Sequence, residues 1–379
     1  MTNERPNEFN PTVVFPPGDT LTEVLETLGM TQSELADRTG RTTKHLSEIV
    51  QGKAAISVET ALQLERVLDV PSHIWLGLER KYREFLARKK EQHAIQEQAE
   101  LYREWLGQFP VRQMADLGWI QPTSRLVDKA RELLLFFRIA SIDQWNEGEI
   151  VGYDCSLRAS DKTKAANGAL LAWLWRGRLE GMAAKCSPYS RAKFSEALKV
   201  VRNRVASFDV DTPALMQEQC ADAGVALCYV HELPGMGAYG ATSWIAQDKA
   251  LIQMCLRGKR EDQFWFTFFH EAGHILLHGK TDSFVEGDRT IDEGQKEQEA
   301  NKFAADYLIN PKEWHVFIRD PFWSQLNRLT YKLGERRIAK FARQENVSTG
   351  IVVGRLQREG IIHHRHYNNM KAALDWANS

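Results

Sequence analysis

The sequence predicts a mainly α protein with a small β-sheet (α+β), organised as an N-terminal bundle of short helices followed by a larger C-terminal domain. Three observations carry this expectation. Between Asp19 and Leu78 short capped helices follow one another. Most of the remaining chain is spaced like helix. Around residue 225 the texture changes to "GVALCYV", "GATSWIA" and "KALIQMC", β-rich runs separated by Gly, Pro and Asp, which read as a small sheet with an edge. At 379 residues the chain exceeds what one domain usually needs, so two or three are expected.

Composition narrows the function classes. Hydrophobic residues make up 43% and charged residues 26%, ordinary for a globular protein. A net charge of −1 excludes a polycation that holds nucleic acid by charge alone, so any DNA contact must be local. The opening "MTNERPNEFNPTVVFPPGD" lacks the apolar core of a signal peptide, and no run is long and uncharged enough to span a bilayer. The expectation is a cytoplasmic protein without a membrane partner. Five scattered cysteines (Cys155, Cys186, Cys220, Cys228, Cys255), with no CxxC pair, fit reduced thiols buried as small hydrophobes.

Residues 1–18, polar and proline-bearing, read as a flexible tail. In 19–78, "TQSELADRTG" opens on a capping box, Thr31 with Glu34, and closes at Gly40. "TTKHLSEIVQG" closes at Gly52, and "SVETALQLERVLDV" runs from an N-capping Ser57 to the turn before Pro71. Leu35, Ala36, Leu46, Ile49, Ile56, Ala61, Leu64 and Leu68 give these helices an inward face. Residues 79–108, charged and sparsely apolar, predict a linker helix that joins domains or pairs with a second chain. Residues 109–206 read as a helical middle region with Trp145, Trp173 and Trp175 in the core. Residues 207–315 hold the sheet, the helix "EDQFWFTFFHEAGHILLHG", N-capped by Asp262 and stopped at Gly279, and a second helix ending before Pro311. Residues 316–379 predict a C-terminal helical region, with two packed helices in "RRIAKFARQENVSTGIVVGRLQREG".

Chemistry concentrates in "FFHEAGHILLHG". On a helix, residues four apart lie only about 40° from each other, so His270 and His274 can grip one ion. Glu271 points aside, where it reaches a water and serves as general base. This is the H-E-x-x-H logic of a zinc (Zn2+) hydrolase with three protein ligands and one open position. The helix is apolar nearly all round, and an uncompensated buried His-Glu-His set would cost several kcal/mol. For the third ligand the next helix offers Glu297, roughly 50° from the centre of its apolar face, and Glu299, roughly 110° away. Glu297 is the better placed. Asn301, one turn on, and His278, one turn beyond His274, are candidates to support the ligands; His278 also competes as third ligand. The terminal "HHRH" (His363, His364, His366) reads as an exposed polar tail rather than a second metal site.

The two helices joined by a tight turn, "TQSELADRTG-RTTKHLSEIVQG", match a helix-turn-helix, whose second helix enters the major groove. Its first turn offers Arg41, Thr42, Thr43, Lys44 and Ser47 to double-stranded DNA, and Gln32 a phosphate contact. Glu48 and Asp37 dilute the positive charge.

With these motifs in view, residues 19–86 resemble the Cro/C1-type (XRE) helix-turn-helix in its HigA antitoxin branch. The likeness is carried by "LSEIVQGKAAISVETALQLERVLDVPSHIWLGLERKY". Residues 220–310 resemble the ImmA/IrrE metallopeptidases through "FWFTFFHEAGHILLHG" and "EQEANKFAADYLINP". The resemblance implies a zincin-like domain with zinc on His270, His274 and Glu297 and Glu271 as general base. It further implies a regulator that cleaves a repressor, a toxin or itself, in stress response, toxin-antitoxin or mobile-element control, with its DNA-binding part acting as a homodimer on an operator. Asn310 stands where many relatives carry an apolar residue. The rival expectation is a non-catalytic antitoxin or repressor in which the metal only holds the fold.

Overall fold

The computed structural model describes residues 13–145, 164–255, 260–278, 284–287, 294–325 and 331–374. The chain divides into two compact units, Met1–Tyr102 with Arg125–Ala130, and Arg103–Ser124 with Arg131–Ser379.

The first unit contains α1 (Pro17–Leu28), α2 (Gln32–Thr39), α3 (Thr43–Val50), α4 (Val58–Leu68) and α5 (Ser72–Glu97). Capping decides the boundaries. Thr31, Thr42 and Ser57 each accept a backbone N–H three residues on, from Glu34, His45 and Thr60. Gly40 closes α2 in the left-handed region at φ 70°. All eight residues expected to face inward are buried, together with Leu21, Leu25 and Trp75. Two expectations change. The first helix starts at Pro17, inside the stretch read as a tail, because proline is well suited to the first helical turn. The linker helix has no start of its own near residue 79. Instead α5 begins at Ser72, directly after Pro71, and its Trp75 is fully buried in this unit's core.

The second unit holds α6 (Ala99–Leu106), most of which lies there, α7 (Val111–Asp116), the end of α8 (Leu126–Phe137), α9 (Lys164–Ala183), α10 (Arg191–Arg202) and α11 (Thr212–Asp222). The sheet follows as β1 (Val225–Val230), β2 (Ala238–Ala246) and β3 (Lys249–Cys255). Then come α12 (Glu261–Leu277), β4 (Phe284–Gly287), α13 (Gln295–Leu308), α14 (Pro311–Ile318), α15 (Tyr331–Gln344) and α16 (Thr349–Arg358).

The sheet order is β1-β3-β2-β4. The β1–β3 pair is parallel, and β2 runs antiparallel to both β3 and β4. Strand alternation sorts the faces. Val225, Leu227, Ala250, Ile252 and Met254 join α11 and α12 in a core with Met216, Trp265, Phe268 and Phe269. On the other face, Gln253 donates its amide to the Trp173 carbonyl at 2.6 Å, and Trp173 donates to the Val230 carbonyl at 3.2 Å, which seats α9 there. Trp173 and Trp175 are buried; Trp145 is half-buried, edge-on to Phe137 with ring centroids 4.6 Å apart.

Two more expectations are revised. Asp262 does not cap α12, which begins one residue earlier after Arg260. The Asp262 carboxylate meets the Lys371 ammonium at 2.5 Å, both side chains under a tenth exposed. Helices α15 and α16 share the core of α12, through Ile338, Phe341, Ile351 and Val352. They therefore pack as part of the same unit as the sheet. The expected stop at Gly279, and Cys155, lie outside the described residues. Cys220, Cys228 and Cys255 are buried, and burial pushes the Cys228 thiol up to about 12. Among the described residues, no helix is long and apolar enough to cross a membrane.

Candidate metal centre and nucleic-acid interface

Helix α12 carries Phe264, Trp265, Phe268, Phe269, Ala272, Ile275 and Leu276 around nearly its whole circumference, so its polar residues are buried with it. His270, Glu271 and His274 are exposed by only 1%, 0% and 2%. Gly273 lets α13 approach, since a Cβ there would stand 3.4 Å from the Ala300 Cα and 3.0 Å from the Phe303 ring.

Three ligand atoms converge. His270 Nε2 and His274 Nε2 are 3.0 Å apart. Glu297 Oε2 lies 3.2 Å from His270 Nε2, and Glu297 Oε1 lies 3.1 Å from His274 Nε2. Donors held at about 2.0–2.1 Å around one tetrahedral ion sit roughly 3.3 Å from each other, so the spacing and the two-imidazole, one-carboxylate set fit zinc. The protonation states fit as well. Burial pushes the His274 imidazole down to about 4, against the raising influence of Glu297. Burial raises the Glu297 carboxyl, but hydrogen bonds from His270 and His274 outweigh it and hold the group well below the usual carboxylate range. A neutral imidazole and an ionised carboxylate are the forms that bind a metal. Among the described residues, this is the only triple of such side chains whose ligand atoms lie within 4.8 Å of one another. His363 and His364 of the tail are exposed and form no such group.

Glu271 is turned to β2. The Thr242 hydroxyl donates to its Oε2 at 2.5 Å and to its backbone carbonyl at 3.2 Å. Two residues back along the same face of the strand, Gly240 leaves room for the other carboxylate oxygen, since a Cβ there would fall 2.5 Å from Glu271 Oε1. Neither Thr242 nor Gly240 was singled out from the sequence. Strand alternation would have put them on one face, but nothing local says which helix that face meets.

The other expected residues take distinct places. His278, which follows the last turn of α12, has Nδ1 3.0 Å from His274 Nδ1 and Nε2 3.2 Å from Glu299 Oε2. Asn301 faces elsewhere than expected: its Oδ1 accepts from Arg358 on α16 at 2.5 Å, and the Arg358 guanidinium lies 3.8 Å over the Phe266 ring. The reason is that α16, remote in sequence, supplies a cation at that point. Asn310 caps α14 by accepting the Lys312 N–H, a use for a polar residue where an apolar one was anticipated. A cavity lined by His278, Gly294, Gln295, Lys296, Glu297 and Glu299 opens beside the triple.

Residues 256–357 match the family model of the IrrE N-terminal-like domain, an M78 peptidase family. The chain carries an IrrE-like domain. Residues 21–75 match the helix-turn-helix model, so a DNA-binding domain is joined to this IrrE-like domain in one chain. Among solved structures, the first unit's fold overlaps an antidote protein of a plasmid maintenance system from Nostoc punctiforme. That match has 21% identity over 22% of this chain and 92% of that one, with a TM-score of 0.22. A HigA-family addiction-module antidote from Coxiella burnetii is 30% identical over 22% of this chain and 91% of its own, with a TM-score of 0.20. No curated protein matches the chain.

In the helix-turn-helix, Thr42, Thr43 and Lys44 are exposed at the start of α3, and Gln32 is half-exposed at the start of α2. The Thr42 hydroxyl caps α3 and the Ser47 hydroxyl accepts from Gln51. Arg41 departs from its expected position. Its Nε donates to Gln63 Oε1 at 2.7 Å and its Nη2 lies 3.1 Å from Glu59 Oε1, so α4 holds the guanidinium.

Proposed function

We propose that this chain is a DNA-binding transcriptional regulator whose IrrE-like domain is a zinc-dependent endopeptidase. It cuts a partner regulator, a toxin or another copy of itself, in stress response, toxin-antitoxin or mobile-element control. One observation carries the catalytic reading: the converging set stops at three protein ligands, with a buried carboxylate beside it that is not among them. A purely structural zinc is closed by four ligands. His270, His274 and Glu297 would hold the ion. Zinc, when bound, supplies Lewis acidity toward a peptide carbonyl and makes water easier to deprotonate. Glu271, fixed by Thr242, takes the proton from the attacking water and hands it to the leaving amine. The aromatic wall of α12 keeps bulk water from the histidines.

The helix-turn-helix, as a homodimer on a palindromic operator, brings the peptidase to a promoter in the cytoplasm. Thr43, Lys44, Ser47 and Gln32 are the residues we assign to the double-stranded DNA contact. The deciding experiment combines a Glu271→Gln variant with metal removal. Peptide cleavage should vanish in the variant while zinc content and operator binding persist. Cleavage that survives the substitution overturns the catalytic role. Unfolding on metal removal, with no cleavage by the wild type, assigns the ion to the fold alone.

A further inference from the structure

We propose that Glu299 and His278 form a positioning chain that fixes which nitrogen of His274 carries its proton, and so keeps His274 Nε2 bare toward His270 and Glu297. This rests on the metal reading above and deepens it.

The proton order follows from the distances. Glu299 Oε2 stands 3.2 Å from His278 Nε2. An ionised carboxylate only accepts, so the His278 proton sits on Nε2. His278 Nδ1 then presents a lone pair. It faces His274 Nδ1 at 3.0 Å, and two lone pairs cannot share that separation, so His274 must carry its proton on Nδ1. Nε2 of His274 is left with its lone pair aimed at His270 Nε2 and Glu297 Oε1. The chain thus transmits a single choice, made by a carboxylate 44% exposed, to an imidazole side chain with no exposure at all.

The sequence builds this economically. His274 and His278 are four apart, and the His278 N–H still bonds the His274 carbonyl at 3.1 Å, so both rings share one side of the helix end. The backbone of His278 is already extended, at φ −111° and ψ 168°. Glu297 and Glu299 both start α13, one turned to the histidine pair and one to His278, so one helix supplies an inner and an outer carboxylate. Gln295 donates to Glu299 Oε1 at 2.8 Å and steadies the outer end. An outer partner of this kind contributes typically 10–100-fold in metal affinity.

Two measurements test it. In metal-free protein, long-range 15N–1H correlation spectra of the histidines, assigned with His→Gln variants, should show His274 as the Nδ1–H tautomer and His278 as Nε2–H. Glu299→Ala, a change at an exposed position, should erase the His278 preference and mix the His274 tautomers. The opposite tautomers in wild type, or none of this response in Glu299→Ala, overturn the proposal whether or not the protein binds zinc. Separately, chelator competition should show zinc bound roughly 10–100-fold more weakly by His278→Phe, and less weakly by Glu299→Ala, with part of the loss restored in Glu299→Gln. Wild-type affinity in both His278→Phe and Glu299→Ala also overturns it. A wild type without zinc affinity sinks the metal reading instead, and the tautomers still judge the chain.

Discussion

Thr242 on β2 and Glu271 on α12 are joined twice, by a 2.5 Å bond to the carboxylate and a 3.2 Å bond to the carbonyl of the same residue. A hydroxyl that grips both ends of a buried glutamate fixes its side-chain rotamer. Thr242→Val keeps the shape and removes the donor. A hydrogen bond to a charged group is worth about 1.5–3 kcal/mol, so turnover should fall roughly ten- to a hundredfold. Zinc content should be unchanged, and Thr242→Ser should restore most of the rate. Peptidase assays beside metal analysis check this, and an undiminished rate in Thr242→Val would remove Thr242 from the site.

Glu297→Ala should lose stoichiometric zinc while keeping its helical signal. Its neighbour Glu299 is engaged by His278 and Gln295, which holds it back from the histidine pair. Full zinc in the purified variant would pass the third position to Glu299 or His278.

The acid response of metal-free protein follows from His274. Its folded value, about 4, lies below the ordinary 6.5, so folding favours the neutral ring. Such a group stabilises fully above pH 6.5, and that contribution is lost as pH falls from about 6.5 towards 4. The melting temperature of metal-free wild type should therefore drop across this window more steeply than that of His274→Asn. Parallel profiles would contradict the buried neutral imidazole.

Lys371→Met should leave the Asp262 carboxylate buried without its cation. Breaking a buried pair from one side typically costs about 3–5 kcal/mol. Chemical denaturation should register that loss, and replacing both partners, Asp262→Leu with Lys371→Met, should recover much of it. A change below about 1 kcal/mol in the single variant would show that the pair is solvated.

The two cations of the helix-turn-helix should behave differently. Lys44→Ala should weaken operator binding and reduce the salt slope by about one. Arg41→Ala, which releases Gln63 and Glu59, should mainly lower the stability of the first unit, by about 1 kcal/mol. Equal salt-slope changes in both variants would return Arg41 to the DNA face.

What the sequence made legible was local. Thr31, Thr42 and Ser57 announce their helices because a cap and its acceptor lie three residues apart. The separate directions of Glu297 and Glu299 follow from rotation per residue alone. Contacts across long separations were not legible. Asp262 has the residue type and place of a cap, but a lysine 109 residues away competes for it. Thr242 meets Glu271 across 29 residues, and Arg41 meets Gln63 across 22, with no periodicity linking either pair. The start of α5 was hidden for a different reason: Pro71 was taken to separate two elements, whereas proline just ahead of a helix is compatible with its start, and Trp75 belongs to the first core.

The tie between Asp262 and Lys371 also orders events during synthesis. The first turn of α12 leaves the ribosome well before its counter-ion exists, and at about 5–20 residues per second the wait lasts roughly 5–20 s. In that interval the helix-turn-helix is already complete and free to fold. Each newborn molecule thus has a short period as a DNA-binding protein alone, before the start of its histidine-bearing helix can be locked down.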